Sequence, residues 1–167
     1  MQPIPWTALG RYDARWRQLI LKLRRHGGPK LIRALARECL ALLPKPTSRV
    51  QLCAIPPRQG HPPGLPQWVA GEINQLEKLP AQVVLKRRRA CIGQHHLNGW
   101  QRRQNLRGVF TAEPIQRSLG QILLVDDVLT SGATSEAACQ ALKAAGYGVV
   151  GVLCLAHATS AVDTTMT

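Results

Sequence analysis

Acidic residues are scarce in this chain of 167 residues: nine Asp and Glu stand against 22 Lys and Arg, for a formal charge of +13. No apolar run reaches the ~18–20 residues that a membrane span requires. The five cysteines (39, 53, 91, 139 and 154) are odd in number, widely spaced and without a C-x-x-C pair. That pattern argues against a disulfide framework or a zinc ribbon and makes a reducing cytoplasm the expected compartment. The opening MQPIPWTALGRYDARW has no charged start followed by an apolar core, so no secretory leader is expected. Two common phosphate signatures are also missing, the Walker loop G-x-x-x-x-G-K-[ST] and the dinucleotide fingerprint G-x-G-x-x-G. Cys91, His95 and His96 lack a second pair of residues at ligand spacing, so no zinc site is assigned to them.

What is present reads as one globular unit. Hydrophobic residues make up 45% of the chain, which excludes disorder throughout, and the length suits one domain with a full core. The charge is divided sharply: residues 1–120 carry 21 Lys and Arg against five acids, whereas residues 121–167 carry one lysine against four. A basic body of that kind is suited to a polyanion, although solvated faces rich in arginine would look the same.

Periodicity predicts a helix over Asp13–Arg25, with Asp13 as N-cap and Gly27-Gly28 as the stop. A second helix is predicted from Pro29 to about Leu43, where Pro44 and Pro46 end it. Val50–Ile55 reads as a buried strand, Pro56–Pro66 as a loop, Gln67–Lys78 as a helix and Val83–Lys86 as a short strand. Arg87–Arg117 is basic and shows no clear period. Gln121–Val125 is an apolar strand, Ala133–Ala145 a helix stopped by Gly146, and Val149–Leu155 a further strand. Cys53, Cys139 and Cys154 fall on apolar faces and are expected in the core. Strands alternating with helices predict a parallel α/β sheet with its site at the carboxyl ends of the strands.

The chemistry is concentrated in Leu123–Thr134, LLVDDVLTSGAT. An apolar strand delivers Asp126 and Asp127 to its carboxyl end, and Thr130, Ser131, Gly132, Ala133 and Thr134 then turn into a helix. A turn of hydroxyls and free backbone N–H groups at a helix N-terminus favours a phosphate. Two carboxylates just upstream can accept hydrogen bonds from vicinal hydroxyls, so the pattern suits a ribose 5-phosphate. A phospho-receiver domain also places paired acids after a strand, but it needs a further Asp and Lys well downstream. After Asp127 the only other aspartate is Asp163, in the tail.

LLVDDVLTSGAT resembles the phosphoribosyl-pyrophosphate (PRPP) motif of type I phosphoribosyltransferases. Arg87, Gln94, Leu97, Arg102, Asn105, Gly108 and Phe110 resemble the R-x6-Q-x2-L-x4-R-x2-N-x2-G-x-F run of the ComF competence family, and RYDARWRQLILKLRRHGG resembles that family's leading helix. The resemblance implies an α/β type I phosphoribosyltransferase fold, a parallel sheet flanked by helices. It implies an N-terminal helical extension (1–47) and a transferase-like domain (48–158), and the small residues that follow read as a flexible tail (159–167). It further implies that Asp126 and Asp127 hold the ribose hydroxyls and serve any catalysis, that Thr130–Thr134 cradle the 5′-phosphate, and that Ile55 and Pro56 begin the pyrophosphate loop. Mg²⁺ would arrive with the pyrophosphate, held mainly by ligand oxygens and water.

The chain departs from the family at three places. No cysteine precedes Cys39, where the family carries a four-cysteine zinc ribbon; Pro63-Gly64-Leu65-Pro66 replaces an R-G-F-N element; and Cys91 stands where threonine is usual. The altered loop favours binding over turnover. Arg87, Arg88 and Arg89, rejoined by Arg102, Arg103 and Arg107, form a candidate nucleic-acid patch, with Trp100 as a stacking surface. The reading that follows is a DNA-uptake protein binding PRPP or a related ribose phosphate and single-stranded DNA, with competence-machinery proteins as partners and no membrane span. The alternatives are an active phosphoribosyltransferase acting on a nucleobase or similar acceptor, and a PRPP-sensing regulator.

Overall fold

A computed structural model describes residues 4–43, 50–88, 106, 108–114 and 121–158. Its centre is a four-stranded parallel sheet, ordered β1 (Trp6–Arg11), β6 (Gly148–His157), β5 (Gln121–Leu129), β2 (Val50–Ala54). Each neighbouring pair in that order runs parallel. Helices cover both faces, which is the α/β architecture the alternation of strands and helices predicts.

The two faces follow from the period-two alternation of β5. Leu123 and Val125 join Ile20 and Leu23 of α1 (Ala14–His26), Leu35 and Cys39 of α2 (Pro29–Leu42), and Ile73 of α3 (Leu65–Glu77). Ile122 and Leu124 face the other way, onto Cys139 and Leu142 of α4 (Ala133–Ala144), Leu106, Val109 and Phe110. Each large aliphatic side chain buried there contributes roughly 1.5–3 kcal/mol of transfer free energy. Cys53, Cys139 and Cys154 lie in the core as expected, and Cys39 joins them.

The helix boundaries show their causes. Asp13 caps α1 by accepting from the Trp16 backbone N–H at 2.9 Å, and Gly27 ends it with φ +67°. Pro29 opens α2 at a position whose N–H needs no partner. α3 begins at Leu65, ahead of the Gln67 predicted from sequence, because the Gln67 side chain reaches back to accept from the Gly64 N–H at 2.9 Å.

Two elements differ from the sequence reading. The expected strand Val83–Lys86 is β3 (Leu85–Arg87), and it leaves the main sheet to pair antiparallel with β4 (Phe110–Ala112). The chain touches β2 through a bridge, Leu52 to Ala81, before departing, and Val83 is left exposed. The second difference is β1, which lies in the segment expected as a helical extension. It has no apolar run of its own, and it forms because it supplies the ladder partner for β6, from Trp6 opposite Val152 to Arg11 opposite His157.

β1 and α1 are locked by close approach. A methyl group at Gly10 would overlap the Trp16 indole. Gly10→Ala is therefore expected to lower stability by about 1–3 kcal/mol, the usual cost of overpacking. Denaturant unfolding measures it, and an unchanged midpoint would mean that the indole moves aside freely.

Candidate functional site

The site is built on the carboxyl end of β5. Alternation continues past Val125, so Asp126 falls on the α4 side of the sheet and Asp127 on the α1 side. Both are buried, at 9% and 7% of full exposure. Burial of two adjacent carboxylates is costly unless each finds compensation.

Asp127 finds it in Arg24, which follows the buried Leu23 of α1. The guanidinium forks onto the carboxylate, Nε to Oδ2 at 2.7 Å and Nη2 to Oδ1 at 2.7 Å. Hydrogen bonding to Asp127 raises the Arg24 pKa above its ordinary value; desolvation opposes this, and the charges of Asp127 and Asp126 reinforce it. Asp126 has a different setting. Its Oδ1 accepts from the Asp127 backbone N–H at 2.9 Å. Burial, and then the Asp127 charge, push its carboxyl up to about 7, against that hydrogen bond and the charges of Arg24 and Arg87.

In front of the pair opens a cavity of about 970 Å³. That volume admits a nucleotide-sized ligand. Its walls come from several elements, and they join residues far apart in sequence. Asp126, Asp127, Thr130 and Thr134 line it, as do Ile55 and Pro56 from the loop after β2. Ser131, Gly132 and Ala133 complete the turn, with Gly132 at φ +71° setting the angle at which α4 starts. The N-terminal end of α4 adds partial positive charge.

Arg87 lines the same cavity, its guanidinium 4.7 Å from the Phe110 ring centre, while Arg88 is exposed. Arg89, Arg102, Arg103 and Arg107 lie outside the described residues, as do Cys91, His95, His96 and Trp100 and the tail 159–167.

Several lining residues carry no local signal in the sequence. Arg24 and Arg25 come from the end of α1, Tyr12 from the turn before it, and Arg58 and His61 from the proline-rich loop. The loop is closed by Gln67, whose Nε2 donates to the Ile55 carbonyl at 2.6 Å while its Oε1 holds Gly64. Four arginines against two aspartates give the cavity a positive balance, which suits an anionic ligand.

Among the described residues the donors do not build a resident magnesium site. Among the described residues no three His, Cys, Asp or Glu side chains are grouped to hold a metal, and both oxygens of Asp127 are engaged by Arg24. Among the same residues, no helix is long and apolar enough to cross a membrane.

No family model matches this chain, and no curated protein matches it. Among solved structures it is similar to an allosteric regulatory enzyme of purine biosynthesis, at 19% identity and a TM-score of 0.43. That alignment covers 75% of this chain and 25% of the enzyme, so the chain spans about a quarter of that protein's length. It is also similar to an adenine phosphoribosyltransferase from Leishmania donovani, at 16% identity and a TM-score of 0.43, covering 83% of this chain and 71% of that one. Likenesses this distant carry no weight beside the site's own geometry.

The raised Asp126 carboxyl has a consequence for stability. Folding raises its pKa above the unfolded value, so the folded protein binds the proton more tightly. The stability this gives is full below about pH 4 and is lost as the pH rises through about 7. Asp126→Asn, which keeps an acceptor for the Asp127 N–H and cannot ionise, should raise the melting temperature at about pH 8 and change it little near pH 3. Equal effects at both pH values would mean that Asp126 titrates in the ordinary carboxylate range.

Proposed function

We propose that this chain binds a 5-phosphorylated ribose, with PRPP as the ligand that uses most of the cavity, in the manner of phosphoribosyltransferase-like proteins of the ComF type. One observation carries the reading: the acidic pair, the hydroxyl-rich turn before α4 and the start of the proline-rich loop meet in one positively balanced cavity. The phosphate is taken by Thr130–Thr134 at the head of α4, and the ribose hydroxyls by Asp126 and Asp127. Mg²⁺ comes with the pyrophosphate and is held by its oxygens and by water.

Ile55 and Pro56 begin the loop that faces the pyrophosphate. That loop lacks the arginine of the family's R-G-F-N element, and Arg58 supplies a cation nearby. This cation favours the second reading, in which the protein is an active transferase. The anomeric carbon then loses pyrophosphate and gains a bond to a nucleobase or similar acceptor, and the protein acts by position and charge.

A cytoplasmic DNA-uptake role, with single-stranded DNA and competence-machinery proteins as partners, is supported by the motif resemblance and the basic body. Arg88 is exposed and available to a phosphate backbone, whereas Arg87 is turned towards the cavity. Arg89, Arg102, Arg103 and Arg107 extend the same basic segment.

Two measurements test these assignments. Calorimetric titration with PRPP and Mg²⁺ should show binding that Asp126→Asn with Asp127→Asn weakens by at least ~100-fold, the worth of two charge-assisted hydrogen bonds. Unchanged affinity would sink the site assignment. For the nucleic-acid surface, Arg88→Ala and Arg89→Ala should each flatten the log–log salt slope of oligonucleotide binding by about 0.7, the share of one neutralised phosphate on a single strand. A slope that stays the same would move the DNA surface elsewhere.

A further inference from the structure

The acidic pair and the hydroxyl-rich turn lie wholly within β5, the following turn and α4, yet the shortest polar contact to the acidic pair comes from α1. Arg24 and Asp127 stand 103 residues apart, and the fork between them uses both carboxylate oxygens. The Asp127 side chain is 9% exposed and the Arg24 side chain 46%, so one end of the pair is fixed in the sheet and the other stands at the cavity wall. A bidentate guanidinium fixes the plane of a carboxylate as well as balancing its charge. Two lone pairs of Asp127 remain for other donors.

Resting on the reading given above, we infer that Arg24 is a positioning residue of this site. By forking onto Asp127 it sets the plane and charge of that carboxylate, so that Asp127 offers its remaining lone pairs to the hydroxyls of a phosphorylated sugar. The two acids thereby take different parts. Asp127 lies under the fork, whereas Asp126 has none, and burial pushes its carboxyl up to about 7. The groups facing Asp126 are consistent with that division: Arg24 from α1, Arg87 from β3, Asp127 beside it, and Cys154 opposite it on β6. Burial pushes the Cys154 thiol up to about 12, so it stays neutral.

Sugar recognition and phosphate recognition are thereby separable, because Arg24 acts on the acidic pair while the phosphate goes to the turn at the head of α4. Arg24→Gln removes the charge and the fork; Arg24→Lys restores the charge alone. Titration of the folded chain with ribose 5-phosphate should show affinity falling by about tenfold or more in Arg24→Gln, with partial recovery in Arg24→Lys. Binding of inorganic phosphate should fall far less than that of ribose 5-phosphate in both variants. Carboxyl carbon NMR gives a readout that needs no ligand: with Arg24→Gln the Asp126 midpoint should move to higher pH, since a compensating cation has gone.

Four outcomes are distinct. Loss of ribose 5-phosphate affinity with phosphate binding largely kept and the Asp126 midpoint raised supports the positioning role. Ribose 5-phosphate binding equal to that of the unaltered protein overturns it and leaves the proposed function standing. Loss of both ligands together, with the Asp126 midpoint unmoved, assigns Arg24 a purely structural part and also overturns it. An unaltered protein that binds phosphate but gains nothing from the sugar overturns the proposed function, and the positioning role falls with it.

Discussion

Two adjacent carboxylates buried at the end of a strand set the terms for everything around them. A strand sends neighbouring side chains to opposite faces, so a single guanidinium cannot fork onto both Asp126 and Asp127. The α1 face answers with a bidentate arginine. Asp126 is met by the Asp127 backbone N–H and by the charges of Arg24 and Arg87, and burial still pushes its carboxyl up. The site is electrostatically asymmetric for that reason, although its sequence, two aspartates side by side, looks symmetric.

The N-terminal part of the chain, which supplies Arg24, is bound closely to the sheet. β1 joins β6 along the edge, and the Tyr12 N–H continues the ladder by donating to the His157 carbonyl at 2.7 Å. α1 then packs Ile20 and Leu23 into the core, and the next residue is Arg24. Close approach of Gly10 and Trp16 fixes the angle between β1 and α1. Each of these interactions helps to decide where a guanidinium arrives, and a shift of about an ångström would cost the fork on Asp127 its geometry.

The opposite wall is held by different means. Gln67 ties the beginning of the proline-rich loop to its end, through Ile55 and Gly64, so a loop with few backbone donors keeps a defined course. The Ile55 N–H also donates to the Val125 carbonyl at 2.9 Å, which joins the loop to the strand that carries the acids. Arg58 and His61 are thereby held at the cavity rim.

The apolar strands, the capped helices and the turn from Asp126 to Thr134 were legible in the sequence, because each depends on residues near one another along the chain. Asp13 caps its own helix, and the period of Leu123–Val125 is local. β1 was not legible, since its residues carry no apolar run and its reason for being a strand is the edge that β6 offers it. Residues 80–87 depart from the main sheet unannounced, because local propensity favours a strand without saying which sheet it joins. By itself the sequence determined the alternating α/β order and the placing of two adjacent acids near the end of an apolar strand. Only the tertiary structure decided that Arg24 forks onto Asp127 while burial raises the Asp126 carboxyl, because charge compensation in a buried site acts through space between residues that the chain holds far apart.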